Sequence, residues 1–190
     1  MKHTLAALAV ALSFGFAGSA GAAMNKDDFK AAKTRVDAEF KDAKAKCDPL
    51  KGNAKDICKA EAKGKHEVAK AELEQQYEPS PRHEAKVKTE KAEADYKVAK
   101  QKCEDLSGNA KDVCKKDAKA AYTTAKSDAK ATKTAEEHGP NSTKAAGAAK
   151  DSRDDKIDAQ YSAAKERCDA MTGSAKDNCI TDAKKKFGKM

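Results

Sequence analysis

The chain has 190 residues, of which 37% are charged and 5% aromatic, with no Trp and a formal net charge of +8. Because bulky apolar residues other than Ala are scarce, a large globular core is excluded. Lys, Asp and Glu are interleaved along every segment, which is typical of solvated helix faces. Ala, Lys, Glu and Gln are good helix formers, so the composition predicts an all-α protein.

The first segment, residues 1–23, has the form of a secretory signal peptide. A short basic start precedes an apolar run from Leu5 to Phe16, and small residues follow, with cleavage expected after Ala22 or Ala23. A retained membrane anchor is the alternative, but the apolar run is shorter than the roughly 20 residues that a spanning helix needs. We therefore expect a mature chain that is exported to the periplasm and has no membrane span.

A stretch bounded by two cysteines occurs three times in the mature chain. Each copy has an acid after the first cysteine, a Leu or Met two residues later, then Gly, Asn or Ser, and Ala-Lys-Asp. The copies are CDPLKGNAKDIC at 47–58, CEDLSGNAKDVC at 103–114 and CDAMTGSAKDNC at 168–179. They use every cysteine of the chain: Cys47, Cys58, Cys103, Cys114, Cys168 and Cys179.

The spacing within each copy requires a reversal of the chain. Eleven residues of continuous helix would advance about 16.5 Å, whereas a disulfide needs Cα atoms roughly 4.4–6.8 Å apart. A glycine can end one helix in the left-handed C′ conformation, an Asn or Ser can N-cap the next, and the following Asp falls at N3. The predicted turn residues are Gly52, Asn53, Gly108, Asn109, Gly173 and Ser174. Each stretch is thus the predicted turn of an αα-hairpin, closed by a local bridge.

Apolar residues before each turn follow a heptad pattern. Ahead of the first turn the pattern is Phe29, Val36, Phe40, Ala43, Cys47 and Leu50, and it recurs 56 and 121 residues later, with Ala85 and Ala92 among the second set. An aromatic seven residues before the first cysteine can meet an aromatic or His eight residues after the second. The pattern predicts six helices near 25–51, 54–78, 81–107, 110–137, 143–172 and 175–187.

Helix-breaking residues separate these hairpins. Proline and glycine occur at Pro79-Ser-Pro81 and at His138-Gly-Pro-Asn-Ser142. The predicted organisation is a signal peptide at 1–23 and three hairpin repeats at 24–78, 81–137 and 143–190. Their fold class is all-α: three disulfide-pinned, coiled-coil-like αα-hairpins, either extended or bundled.

The repeated cysteine motif, the Ala/Lys-rich context and the export signal together resemble a group of small uncharacterised exported proteins of Gram-negative bacteria. Some members are labelled as cell-envelope proteins similar to TolA because of their Ala/Lys-rich helices. The resemblance covers essentially the whole mature chain. It implies an envelope setting and carries no catalytic residue across. Ser174, Pro49 and Asn178 are small departures from the motif.

The sequence favours structural roles for the cysteines and histidines over catalytic or metal-binding ones. Paired thiolates could hold Cu(I), but the spacing differs from that of zinc sites, and the C-x-x-C of thioredoxin-like proteins is absent from the sequence. His66, His83 and His138 are isolated, which favours seam packing for His66 and surface or linker positions for the other two. We expect no catalytic, metal or cofactor-binding residue and no enzymatic activity.

Two classes of function remain open at this point. The first is a structural or stress-related protein of the cell envelope. The second is a binding module, either a chaperone-like protein that holds unfolded polypeptides or a binder of envelope polyanions. Specific nucleic-acid binding is not expected, because lysines are interleaved with acids and no recognised motif is present. A persistent exposed apolar groove would favour a chaperone.

Overall fold

A computed structural model describes residues 24–189, which form six α-helices. They are α1 (Lys26–Lys46), α2 (Gly52–Tyr77), α3 (Pro81–Cys103), α4 (Gly108–His138), α5 (Thr143–Cys168) and α6 (Gly173–Lys186). The predicted all-α fold of disulfide-pinned hairpins is confirmed, with hairpin 1 formed by α1 and α2, hairpin 2 by α3 and α4, and hairpin 3 by α5 and α6. The predicted signal peptide, residues 1–23, lies outside the described residues.

The helices form a single antiparallel layer. Among the described residues, each helix packs only against the helices that precede and follow it in the chain. The hairpins therefore extend into an array and do not close into a bundle. Because the chain alternates direction, the three cysteine turns lie along one edge of the array and the two proline-containing connections along the other. No helix within 24–189 is both long and apolar enough to span a membrane.

The proline-containing connections end one helix and begin the next. Ser80 caps α3, where its side chain accepts a hydrogen bond from the His83 backbone N–H, and Pro81 occupies the first turn. Ser142 caps α5 in the same way by accepting from the Ala145 backbone N–H. Each connection is short, so consecutive hairpins lie side by side.

The cysteine turns differ from their prediction in where the helices end. The helix before the first turn ends at Lys46, not near residue 51, and the backbone N–H of Leu50 donates to the Cys47 carbonyl in a tight turn. The same bond joins Leu106 to Cys103 and Met171 to Cys168. The heptad pattern placed these three apolar residues on the hairpin seam. That placement is wrong, because the helix stops before reaching them and they remain exposed.

Small side chains form the core of the layer. Within the described residues, the buried apolar set contains eight alanines, Leu73 and the first cysteine of each pair. Gly64 of α2 lies so close to α3 that a Cβ placed on it would stand 2.7 Å from the Ala94 Cβ. Helix axes can approach closely where such residues meet, but each contact buries little apolar area.

Aromatic contacts close each hairpin one layer away from its bridge, as predicted. The ring of Phe40 stacks on His66 with centroids 4.4 Å apart, and Tyr96 stacks on Tyr122 at 5.1 Å. In hairpin 3 the rings of Tyr161 and Phe187 meet edge to face at 6.3 Å. Hairpin 1 has a further stack near its open end, between Phe29 and Tyr77.

Candidate functional site: the bridged turns

The three predicted disulfides are confirmed. Cys47 is joined to Cys58, Cys103 to Cys114 and Cys168 to Cys179, with Cα atoms 5.6, 5.6 and 5.7 Å apart. The first cysteine of each pair is 0% exposed. Three bridges indicate an oxidising environment, either extracellular or periplasmic.

The surroundings of the sulfur atoms favour a structural role for the bridges. Thiol–disulfide exchange requires a thiolate to reach one of the sulfurs, and the first cysteine of each pair is fully buried while the second is half-buried. A soft metal ion would need free thiolates, whereas all six cysteines are paired. In residues 24–189, no group of three or more His, Cys, Asp or Glu side chains is placed to hold a metal ion.

An ion pair across each turn accounts for two further motif positions. The lysine of Ala-Lys-Asp reaches back to the acid that follows the first cysteine. The nitrogen–oxygen distances are 3.7 Å for Lys55–Asp48, 2.7 Å for Lys111–Glu104 and 2.7 Å for Lys176–Asp169. Hydrogen bonds from Lys111 and Lys115 lower the pKa of Glu104 to about 2, and the bond from Lys176 lowers the pKa of Asp169.

The turn glycines have the left-handed backbone expected of them, but they stand at the start of the second helix and not at the C′ position of the first. Their φ angles are +57° for Gly52, +54° for Gly108 and +57° for Gly173. The N-cap positions are Lys51, Ser107 and Thr172, without a side-chain capping bond. The predicted N-cap role of Asn53, Asn109 and Ser174, and the N3 position of the following Asp, are therefore wrong.

The asparagines instead bind the next hairpin. Asn53 Nδ2 donates to the carbonyl of Gln101 at 2.7 Å and to Asp105 Oδ1 at 2.8 Å. Asn109 Nδ2 donates to the carbonyl of Glu166 at 3.0 Å. Gln101 and Glu166 each lie two residues before a first cysteine, so the same bond is repeated along the array. Within the described residues no helix follows α6 in the array, and the third copy of the motif has Ser174 at this position.

The histidines take structural or surface positions. His66 stacks on Phe40, and its Nε2 lies 2.8 Å from Asp37 Oδ1, which lowers the pKa of Asp37. His83 hydrogen-bonds the Glu78 carbonyl through Nδ1 at 2.6 Å. His138 is the exposed last residue of α4. The three rings do not come together at one site.

Sequence reasoning did not find a groove that lies between α3 and α4. It has a volume of about 600 Å³, and we call it the cationic groove. Its lining residues are Arg82, Ala85, Lys86, Thr89, Glu90, Lys119, Tyr122, Thr123, Lys126, Ser127, Lys130, Lys133 and Asp155. The signal was present in the repeat, since Ala85 stands 56 residues after Phe29.

Comparison with known proteins supplies no relative for this fold. No family model matches the chain, and no curated protein or solved structure matches it.

Proposed function

We propose that the protein is a non-enzymatic structural component of the bacterial cell envelope, exported through the signal peptide at 1–23 and working in the periplasm. The observation that carries this proposal is the single-layer array, in which each helix packs only on its chain neighbours. A bridge at every hairpin turn stiffens the array. Such an array acts as a spacer whose width grows with each added hairpin.

The surface supports a spacer over a chaperone-like role. The large exposed apolar residues of the described chain are Leu50, Tyr77, Leu106 and Met171. Three of them stand on separate turns, and neighbouring turns are about 16–20 Å apart because two helices, each adding 8–10 Å, lie between them. Eight of the thirteen residues that line the cationic groove are charged, so an apolar segment bound there would have to bury charges. Neither feature therefore suits an unfolded polypeptide, which needs a continuous apolar surface without charges.

Complementation of a deletion strain tests the spacer role. We expect the deletion to weaken the envelope, measured as sensitivity to detergent and osmotic shock under oxidative stress. The full chain should restore resistance, whereas a chain without residues 143–190 should not, because its array is narrower. A matched exported variant that keeps all six helices but lacks charges of the cationic groove should restore it. An unaffected deletion strain, or full rescue by the shortened chain, would refute the proposal.

A solution measurement accompanies the genetic one. Small-angle X-ray scattering from the mature, oxidised protein should give the broad, asymmetric distance distribution of an extended layer. Mass determination of the periplasmic protein should place its first residue at 23 or 24. A compact symmetric distribution, or recovery of the protein in the cytoplasm with its bridges reduced, would contradict the proposed setting.

A further inference from the structure

The cationic groove exists because hairpin 2 lacks a pair of rings that hairpin 1 has. In hairpin 1, Phe29 and Tyr77 stack with centroids 4.4 Å apart and so bridge α1 and α2. The residues 56 positions later are Ala85 and Lys133, and both line the groove. A methyl group and a flexible lysine replace two rings, so the space between α3 and α4 stays open to solvent.

The same comparison shows that the groove also gains positive charge. Glu67 and Glu74 of hairpin 1 correspond to Thr123 and Lys130 of the groove. Six basic and two acidic residues line it. The acids are Glu90 and Asp155, and Asp155 already accepts a hydrogen bond from Ser127 at 2.7 Å. Hairpin 2 has therefore lost the ring pair and two acids at this place, although it has gained Glu90 where hairpin 1 has Thr34.

Several of these cations have no carboxylate partner. Arg82, Lys126 and Lys130 form no salt bridge with any described residue, whereas Lys86 pairs with Glu74 of α2. Lys119 and Lys126 lie over the Tyr122 ring, at 5.1 and 5.6 Å from its centroid. A cation–π contact leaves the ammonium charge available to an anion.

The arrangement of the cations is linear. Lys119, Lys126, Lys130 and Lys133 follow one stripe of α4 over about 21 Å at 1.5 Å per residue, and Arg82 and Lys86 of α3 lie on the opposite wall. Half-buried Thr123 also lines the groove with its hydroxyl group, whereas the Thr89 hydroxyl donates to the Ala85 carbonyl at 2.8 Å. An extended anion that carries charge at regular intervals matches this line of cations, of which Lys86 and Lys133 also pair with Glu74 and Glu137.

The chemistry of the groove favours phosphate as the charged group and a chain without rings. Lysine binds phosphate as a point charge, and five of the six basic residues of the groove are lysines. Single-stranded nucleic acids are held by stacking on open aromatic faces. The Tyr122 ring is stacked on Tyr96 and covered by lysines. We propose that the cationic groove binds a linear polyphosphate-type anion, a function that goes beyond the spacer role and does not depend on it.

Binding of inorganic polyphosphate to the disulfide-bonded protein tests this site. Isothermal titration at several salt concentrations should show binding that orthophosphate does not reproduce. The variant Lys126→Gln/Lys130→Gln should weaken it by roughly tenfold or more and reduce the slope of log affinity against log salt by about two. The matched control is Lys41→Gln/Lys44→Gln, which removes the same charge from the exposed face of α1 and should change affinity less than about twofold.

A second pair of variants tests the shape of the groove, and the first of them leaves its charge unchanged. Ala85→Phe is neutral and places a ring where hairpin 1 has Phe29, so binding should be lost although Lys126 and Lys130 remain. Ala85→Phe/Lys133→Tyr recreates the complete ring pair and should bind no better, while circular dichroism shows that α3 and α4 stay folded. Equal losses in the groove and control lysine variants, or unchanged binding by Ala85→Phe, would overturn the proposal. Tighter binding of single-stranded DNA or a sulfated glycan would overturn the assignment to polyphosphate.

Discussion

Gly64 is a point of close approach between hairpin 1 and hairpin 2. A Cβ at this position would stand 2.7 Å from the Ala94 Cβ and 3.3 Å from the Ala94 Cα. The neighbour is a short side chain on the backbone of α3, so it cannot rotate away. The absence of a side chain at residue 64 thus sets the spacing between α2 and α3.

We predict that Gly64→Ala destabilises the protein although it raises helix propensity. Overpacking costs about 1–3 kcal/mol, against a propensity gain of about 1 kcal/mol. The control is Gly147→Ala in α5, where an added Cβ meets no atom within 4 Å and the gain of about 0.5–1 kcal/mol should appear alone. Urea unfolding measures both. Equal stabilisation by the two substitutions would show that α2 and α3 are not in close contact.

Glu104 gives a prediction for pH dependence. Lys111 and Lys115 lower its folded-state pKa to about 2 from 4.5. A carboxylate with a depressed pKa stabilises the fold above its unfolded pKa, and that contribution disappears as pH falls through the folded value. The wild type should therefore lose its advantage over Glu104→Gln between about pH 4.5 and about pH 2.

The measurement is thermal unfolding at a series of pH values, with Glu61→Gln as the control at an exposed glutamate outside the salt bridges. Glu104 is itself exposed, so the difference should be small and should shrink further in high salt. A difference that grows towards pH 2 would have the wrong sign for this ion pair.

At the scale of the turn and helix, the asparagines tie adjacent hairpins together. Their side chains cross from the start of one hairpin's second helix to the last turns of the next hairpin's first helix. Asn53 makes two such bonds, Asn109 makes one, and Ser174 stands in the last hairpin, which has no following partner among the described residues. The number of bonds to the next hairpin thus decreases along the array from Asn53 to Asn109 to Ser174.

We predict that Ala substitution costs most at Asn53, less at Asn109 and least at Ser174. A half-buried hydrogen bond contributes about 0.5–1.5 kcal/mol net, whereas an exposed position without partners changes stability by less than about 0.5 kcal/mol. Any gain in helix propensity is similar at the three sites, so it cancels in the comparison. Chemical denaturation measures the series, and an equal effect at all three positions would refute the inter-hairpin role.

Most of the fold was predictable because its determinants are local. The spacing of Cys103 and Cys114 around Gly108 leaves few geometries that can form a disulfide, and the ring pair of Tyr96 and Tyr122 follows from the same turn. The helix ends were missed because the tight turn at Leu106 begins before the apolar pattern stops. Leu106 continues the heptad spacing of the sequence, but it lies beyond the end of α3.

The role of the asparagines and the cationic groove were harder to predict because they depend on neighbours. A Gly-Asn pair at a turn is typical of an N-cap, and only the placement of the next hairpin shows that Asn109 reaches the Glu166 carbonyl. The groove arises from differences between the copies, whereas the repeated pattern contains only what the copies share. The replacement of Phe29 by Ala85 in the second copy is visible in the sequence. Its effect can be predicted only if Tyr77 is known to stack on Phe29, because Lys133 replaces Tyr77 in the second copy.

At the scale of the whole molecule, helices that are neighbours in the chain are also neighbours in space. Within residues 24–189 no helix contacts another that is two or more places away, so stability is expected to add up from each hairpin and each interface. Closure of a short loop by a bridge contributes roughly 3 kcal/mol in the chain-entropy estimate. Because the seams consist mainly of alanine, full reduction should lower the melting temperature markedly while helix content recovers on cooling.

The effect of removing a disulfide bridge should depend on the position of its hairpin in the array. The helix α6 has 14 residues and packs on α5 alone, and an isolated helix of this length is marginal in water. Cys168→Ser/Cys179→Ser should therefore abolish amide protection in α6 and leave α2, α3 and α4 protected.

In Cys103→Ser/Cys114→Ser both helices of hairpin 2 keep a second neighbour, so no single helix should unfold, but the two halves of the array should melt at separate temperatures. Hydrogen exchange with mass spectrometry, together with calorimetry, distinguishes these outcomes. A uniform loss of protection across all six helices in both variants would show one cooperative core and would contradict the additive, neighbour-by-neighbour description of this fold.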